Sequence, residues 1–131
     1  MDSRSMPAKA DETRILMLHR VLEDRPTSFG LPSCYRLRGT SLTPAEWYRV
    51  VEHSQPIVPL ADVERALATR GPLPTGSVLT FDDGYREHVD LVAPMLRDLG
   101  LSATFYVASG LHGEGRKVAA VDAWYLSLIH I

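Results

Sequence analysis

The stretch Val78-Leu79-Thr80-Phe81-Asp82-Asp83-Gly84-Tyr85 decides the reading of this chain. An apolar, β-prone run ends in two adjacent carboxylates and a glycine, as a buried strand reads when it carries acids to the mouth of an α/β site. Neighbouring carboxylates repel each other, and a cation or a shared proton relieves the repulsion. The pair therefore points to metal-assisted hydrolysis, with one acid on the metal and the other free to move protons. Asp-Asp-Gly alone is also ordinary turn chemistry, because Asp tolerates unusual dihedrals and Gly supplies positive φ. The longer string Thr80-Phe81-Asp82-Asp83-Gly84 is far rarer by chance, and it favours a site.

Outward from this strand, the pattern alternates strands with helices. Upstream, Arg14 to Val21 reads as a short buried strand, and Leu22 to Leu42 as a long loop rich in Pro, Gly, Ser and Arg. Thr43-Pro44-Ala45-Glu46 is a capping box with proline at the first helical position. Trp47, Val50 and Val51 follow at helical spacing, which predicts a helix to about His53. A second helix is predicted over Leu60 to Arg70, with Val63, Ala66 and Leu67 inward and Gly71 as its stop. Downstream, a helix from about Glu87 to Leu99 should bury Val89, Val92, Ala93, Leu96 and Leu99, with a kink or a split-off first turn at Pro94. Ser102 to Ala108 reads as the next strand, and Ser109 to Gly115 as a glycine-rich loop. This order predicts parallel strands joined by helical crossovers.

The motif and its flanks resemble the polysaccharide deacetylase family (NodB-homology domains, family 4 carbohydrate esterases). Thr80-Phe81-Asp82-Asp83-Gly84-Tyr85 is similar to the family's first motif. Ile15-Leu16-Met17-Leu18-His19-Arg20-Val21 resembles its opening strand, with Leu18 where a Tyr is usual. Ala93-Pro94-Met95-Leu96 and Gly100-Leu101-Ser102-Ala103-Thr104-Phe105-Tyr106-Val107 resemble the helix and strand that follow the motif. The resemblance covers roughly Arg14 to Gly115. It implies an α/β fold, the N-terminal part of a deformed (β/α) barrel, here truncated. It divides the chain into a disordered leader at 1–13, a partial deacetylase domain at 14–125 and an atypical tail at 126–131. Barrels of the related eightfold form run to about 250 residues, so the chain reads as less than half of one.

The resemblance also implies the chemistry. The activity would be metal-dependent removal of acetyl groups from N-acetylated sugars of a polysaccharide. Asp83 would be a metal ligand and Asp82 the general base that takes a proton from the attacking water. The metal would be zinc, with cobalt or nickel as alternatives, and two histidines from a later His-x-x-x-His motif would complete its ligands. That motif is absent: no two of His19, His53, His88, His112 and His130 are four apart. The chain is therefore expected to be an inactive fragment of the parent enzyme. His19 should end the first strand at the same face as the two aspartates, and His19 and Tyr85 are the candidate pocket-lining residues. His88 reads as a residue of a solvated helix face, and His112 lies in the glycine loop.

Two other readings compete. One is a non-catalytic carbohydrate-binding remnant. The other is a haloacid dehalogenase-type phosphatase, whose two acids are separated by one residue and so point the same way from a strand. Asp82 and Asp83 are adjacent, which argues against it.

Bulk properties bound the answer. The 131 residues make one domain or a piece of one, with 45% hydrophobic and 23% charged residues. Fourteen Lys and Arg against 16 Asp and Glu leave a net charge of −2 and no basic stripe, so no nucleic-acid partner is expected. The single cysteine, Cys34, excludes an internal disulfide and a thiolate cluster. Residues Met1 to Glu12 lack the apolar run of about 7–15 residues that a secretory signal needs. No window reaches the roughly 18 apolar residues of a membrane span, and a cytoplasmic location is the expectation.

Overall fold

The computed structural model describes residues 12–23 and 41–108. The predicted leader up to residue 11, the loop at 24–40, the glycine loop with His112 and the tail at 126–131 lie outside the described residues. Thr13 already belongs to the first strand.

The elements are β1 (Thr13–Leu18), β2 (Arg20–Val21), β3 (Ser41–Leu42), α1 (Pro44–His53), α2 (Leu60–Thr69), β4 (Gly76–Phe81), a π-helical turn (His88–Val92), α3 (Ala93–Asp98) and β5 (Thr104–Phe105). The fold is mixed α/β with a parallel sheet. Three strands pair in the order β1-β4-β5, and β2 and β3 form a second, two-stranded parallel sheet. β4 is the central strand and every one of its six residues is buried, as expected where a parallel strand is covered on both faces. Its register sets Leu16 against Leu79, Leu18 against Phe81, and Phe81 against Phe105.

One face of this sheet carries the core. Leu79 and Phe81 pack with Trp47 and Val51 of α1, Val92 of the π turn, and Met95 and Leu96 of α3, with Val21 beside them. The other face is less covered. Ile15 and Met17, which alternate with Leu16 and Leu18 along β1, are 58% and 67% exposed. A period of two allows this division, since successive side chains leave a strand on opposite faces.

α1 follows its predicted bounds. Thr43 Oγ1 accepts from the Glu46 N–H at 3.2 Å, and Glu46 Oε2 accepts from the Thr43 N–H at 2.7 Å, so the capping box is closed. α2 also forms, but its left-handed closing residue is Arg70, at φ 53°, rather than Gly71. Leu67 points outward, 63% exposed, so only part of the predicted stripe is buried.

Three further expectations are corrected. The first strand breaks at His19, and its last two residues leave to pair with β3, inside the segment read as loop. Pairing between distant segments has no local signature, so periodicity does not reveal it. The strand at Ser102 to Ala108 shortens to Thr104–Phe105, although the Tyr106 N–H still reaches the Phe81 carbonyl at 2.8 Å. The third correction concerns the helix after the motif. It does split ahead of Pro94, but through a π turn closed by the Ala93 N–H on the His88 carbonyl. The wide turn holds one more residue than an α turn and re-phases the helix. Val89 is left 73% exposed and Leu99 is exposed, while His88, Val92, Met95 and Leu96 go inward.

Candidate functional site

Two parallel strands of matched register finish side by side. Leu18 pairs with Phe81, so the next residues of each chain, His19 and Asp82, are neighbours at the carboxyl end of the sheet. The Asp82 N–H continues the ladder by donating to the Leu18 carbonyl at 2.9 Å. The alternation of Ile15 and Met17 on β1 and of Val78 and Thr80 on β4 carries His19 and Asp82 onto the less covered face. Their side chains meet there, with His19 Nε2 3.9 Å from Asp82 Oδ2 and both partly exposed. In open parallel sheets this end of the strands is where ligands bind.

The chain then turns sharply. Asp83 sits at φ 75° and Gly84 at φ 73°, two consecutive left-handed residues. Asp is among the few non-glycine residues that adopt this region readily, because its short polar side chain suits it. The turn separates Asp83 from Asp82, so the two acids do not project as a parallel pair from one strand.

Behind the turn, the motif is tied to the first strand. Arg20 lies over the Tyr85 ring, with its guanidinium carbon 4.3 Å from the ring centre. The same guanidinium donates from Nε to Glu87 Oε1 at 2.6 Å, and both side chains are largely buried. Tyr85 thus packs under a cation, and its ring also meets His88 edge-on.

His88 departs most from its reading as a solvated residue. It is 3% exposed and lies against Phe81, Tyr85 and Phe105, with ring centres 5.2 to 5.7 Å apart. A carbonyl oxygen only accepts hydrogen bonds. His88 Nε2, 2.5 Å from the His19 carbonyl, therefore donates to it. Nδ1 is buried without a partner among the described residues. His88 lies on the same inward stripe as Val92, Met95 and Leu96, at helical spacing from them, and Val89 lies outside it. Neither the Arg20–Glu87 pair nor the role of His88 was legible beforehand. The only prior signal was that Arg20 adjoins His19 and that Glu87 and His88 follow the motif within one turn.

The described residues include no group of three His, Cys, Asp or Glu side chains able to hold a metal ion. Asp83 with its neighbours is thus short of the three protein ligands that a catalytic zinc requires. Any complete set would draw on residues beyond the described ones.

The class this arrangement defines is a parallel α/β unit that presents acids and a histidine at its strand ends. Comparison with known proteins makes the class specific. Residues 72–122 match the family model for polysaccharide deacetylase, a span that includes β4, Asp82, Asp83 and the segment through β5. Among solved structures, the fold is similar to that of a de-N-acetylase from Aggregatibacter actinomycetemcomitans, with a TM-score of 0.54 and 20% sequence identity. That likeness covers 74% of this chain and 37% of the solved chain, so this protein spans well under half of its length. Curated proteins give no match. Residues 72–122 are thus similar to the polysaccharide deacetylase family, and the mixed α/β fold with its parallel sheet is similar to that of the solved de-N-acetylase over the shared part.

Proposed function

We infer that this chain is part of a deacetylase that removes acetyl groups from the N-acetylated sugars of a polysaccharide. The observation that carries the reading is the place of Asp82 and Asp83. They follow the central strand at its carboxyl end, inside the stretch that matches the polysaccharide deacetylase family.

In this reading Asp82 is the general base. It takes a proton from water as the oxygen attacks the acetamide carbonyl. The carbon–nitrogen bond then breaks, the amine leaves with a proton, and acetate is released. His19 stands beside this acid, with Nε2 3.9 Å from Asp82 Oδ2. Asp83 is assigned to a divalent metal, zinc or else cobalt or nickel. The described residues do not complete its ligand set, so no step is derived through it. The whole barrel, the inactivity of the isolated chain and its cytoplasmic location belong to the same proposal. Among the described residues no helix is long and apolar enough to cross a membrane.

The test is acetate release from N-acetylglucosamine oligomers, with and without added divalent metal, by this chain and by one extended in its own reading frame. The extended chain should release acetate, and Asp82→Asn should abolish that release while leaving the fold intact. Undiminished turnover in Asp82→Asn would remove the general-base assignment. An extended, folded chain that binds oligomers but never releases acetate would favour the carbohydrate-binding reading.

A further inference from the structure

The buried imidazole of His88 is a group that the proposed chemistry leaves unused. It is held by an aromatic enclosure and aimed at the main chain of the pocket. The geometry points to His88 as a positioning residue for His19, an inference that rests on the deacetylase reading for its functional meaning. Three observations bear on it.

First, the only polar contact of the His88 ring among the described residues is from Nε2 to the His19 carbonyl, at 2.5 Å. Second, His19 sits between two strands that belong to different sheets. β1 ends at Leu18 and β2 begins at Arg20, so the peptide of His19 is where the chain leaves one sheet for the other. Leu18 and Arg20 on either side have ladder partners, and the His19 carbonyl between the two sheets is held by His88, a donor buried in the core. Third, the anchor itself is enclosed by aromatic rings. Phe81 and Phe105 stack with ring centres 5.2 Å apart beneath His88, and Phe81 is the residue just before Asp82. The same aromatic packing therefore fixes the strand end that carries Asp82 and the ring that holds His19. Residues that orient a site group in this way set its geometry without touching substrate.

The pocket on the far side, lined by Tyr48, Val51, Glu52, Gln55, Leu99 and Leu101, offers no comparable buried polar group. The exposed face with Ile15 and Met17 lacks anything to identify what would cover it.

Nitrogen-15 NMR of the protein with labelled histidine and aspartate tests the proposal. In the wild-type chain His88 should carry its proton on Nε2, and that proton should exchange slowly. Gln places its amide nitrogen near the position of Nε2, whereas Asn reaches only as far as Nδ1. His88→Gln should therefore keep the wild-type resonances of His19 and Asp82. His88→Asn should shift both and lose the contact between the His19 ring and Asp82, with the Trp47 and Val92 signals unmoved. Finding His88 protonated on Nδ1 alone would overturn the proposal, and this measurement needs no variant. So would unshifted His19 resonances in a folded His88→Asn, or equal shifts in the Gln and Asn variants. These spectra contain no substrate, so the positioning role and the acetate-release reading can fail independently.

Discussion

Arg20 and Glu87, 67 residues apart in sequence, share a hydrogen-bonded ion pair of 2.6 Å across the start of the π turn. It joins the first strand to the helix that follows the acids. Little water reaches it, since the two side chains are 13% and 17% exposed. Removing either charge leaves the other less compensated in a poorly solvated place. The expected cost of Glu87→Gln or Arg20→Met is about 1–3 kcal/mol, below that of breaking a fully buried pair. Arg20→Lys should not restore the loss, because an ammonium cannot both point along Nε and lie flat on Tyr85. Chemical denaturation of the single and double variants, read as a double-mutant cycle, measures the coupling. A coupling near zero would show that the pair contributes nothing.

Gly76 opens β4 at φ 146°, a conformation that L side chains rarely adopt. A Cβ there would lie 2.5 Å from the Pro56 carbonyl oxygen and 3.0 Å from Val58 Cγ1. Gly76→Ala is thus expected to destabilise the protein by at least about 1–3 kcal/mol, the usual range for backbone strain alone. Gly100→Ala serves as the comparison. Its φ is 64°, but nothing lies within 4 Å of the added carbon, so backbone conformation is its main cost. Equal losses in the two variants would mean that the Pro56 contact relaxes freely.

Asp83 separates stability from chemistry. Asn tolerates φ 75° about as well as Asp, whereas a β-branched residue does not. Asp83→Asn should therefore change stability by less than about 0.5 kcal/mol, as surface substitutions usually do. Asp83→Val should cost about 1–3 kcal/mol. Both remove the carboxylate, so both should abolish acetate release in the extended chain. Thermal unfolding and the acetate assay on the same samples check this. A stable Asp83→Val would remove the argument from backbone geometry.

Ile15 and Met17 should be dispensable for stability in this chain and harmful to its solubility. They are well exposed on a strand at the edge of the described sheet. Apolar edges template association between chains. Ile15→Thr with Met17→Lys is expected to raise the concentration at which the protein stays monomeric. Light scattering reads this directly, and unfolding should show little change. By contrast, Leu79→Ala, on the buried face, should cost about 2–5 kcal/mol. A large stability loss in the Ile15 and Met17 double variant would show that this face is packed after all.

Thr43→Ala tests the element that was easiest to read. Loss of the capping box should cost about 1 kcal/mol. The helix start was legible because capping is local: Thr43, Pro44 and Glu46 are within four residues of one another. β4 was legible for a similar reason, as a β-prone apolar run that ends on acids. The meeting of His19 with Asp82 needed one more step, the assumption that strands so connected run parallel. What escaped depended on contacts between distant segments or on a polar residue in an inward stripe. β3 exists because Arg20 and Val21 leave β1 to meet it. His88 goes inward with Val92, Met95 and Leu96 at helical spacing, and a stripe chosen by apolar side chains alone takes Val89 in its place. Arg20 and Glu87 each look like ordinary surface charges until the fold brings them together.

The bond from His88 reaches the carbonyl of residue 19 and not its imidazole. The hold is therefore indifferent to which side chain stands there. Residue 19 works like a socket: any side chain carried by that peptide would be presented beside Asp82 from the same starting point. His19 could be exchanged for Asn, Gln or Tyr with the scaffold behind it unchanged. In the deacetylase reading, this corner beside Asp82 is then open to variation one residue at a time, whereas position 88 must keep a donor where Nε2 stands.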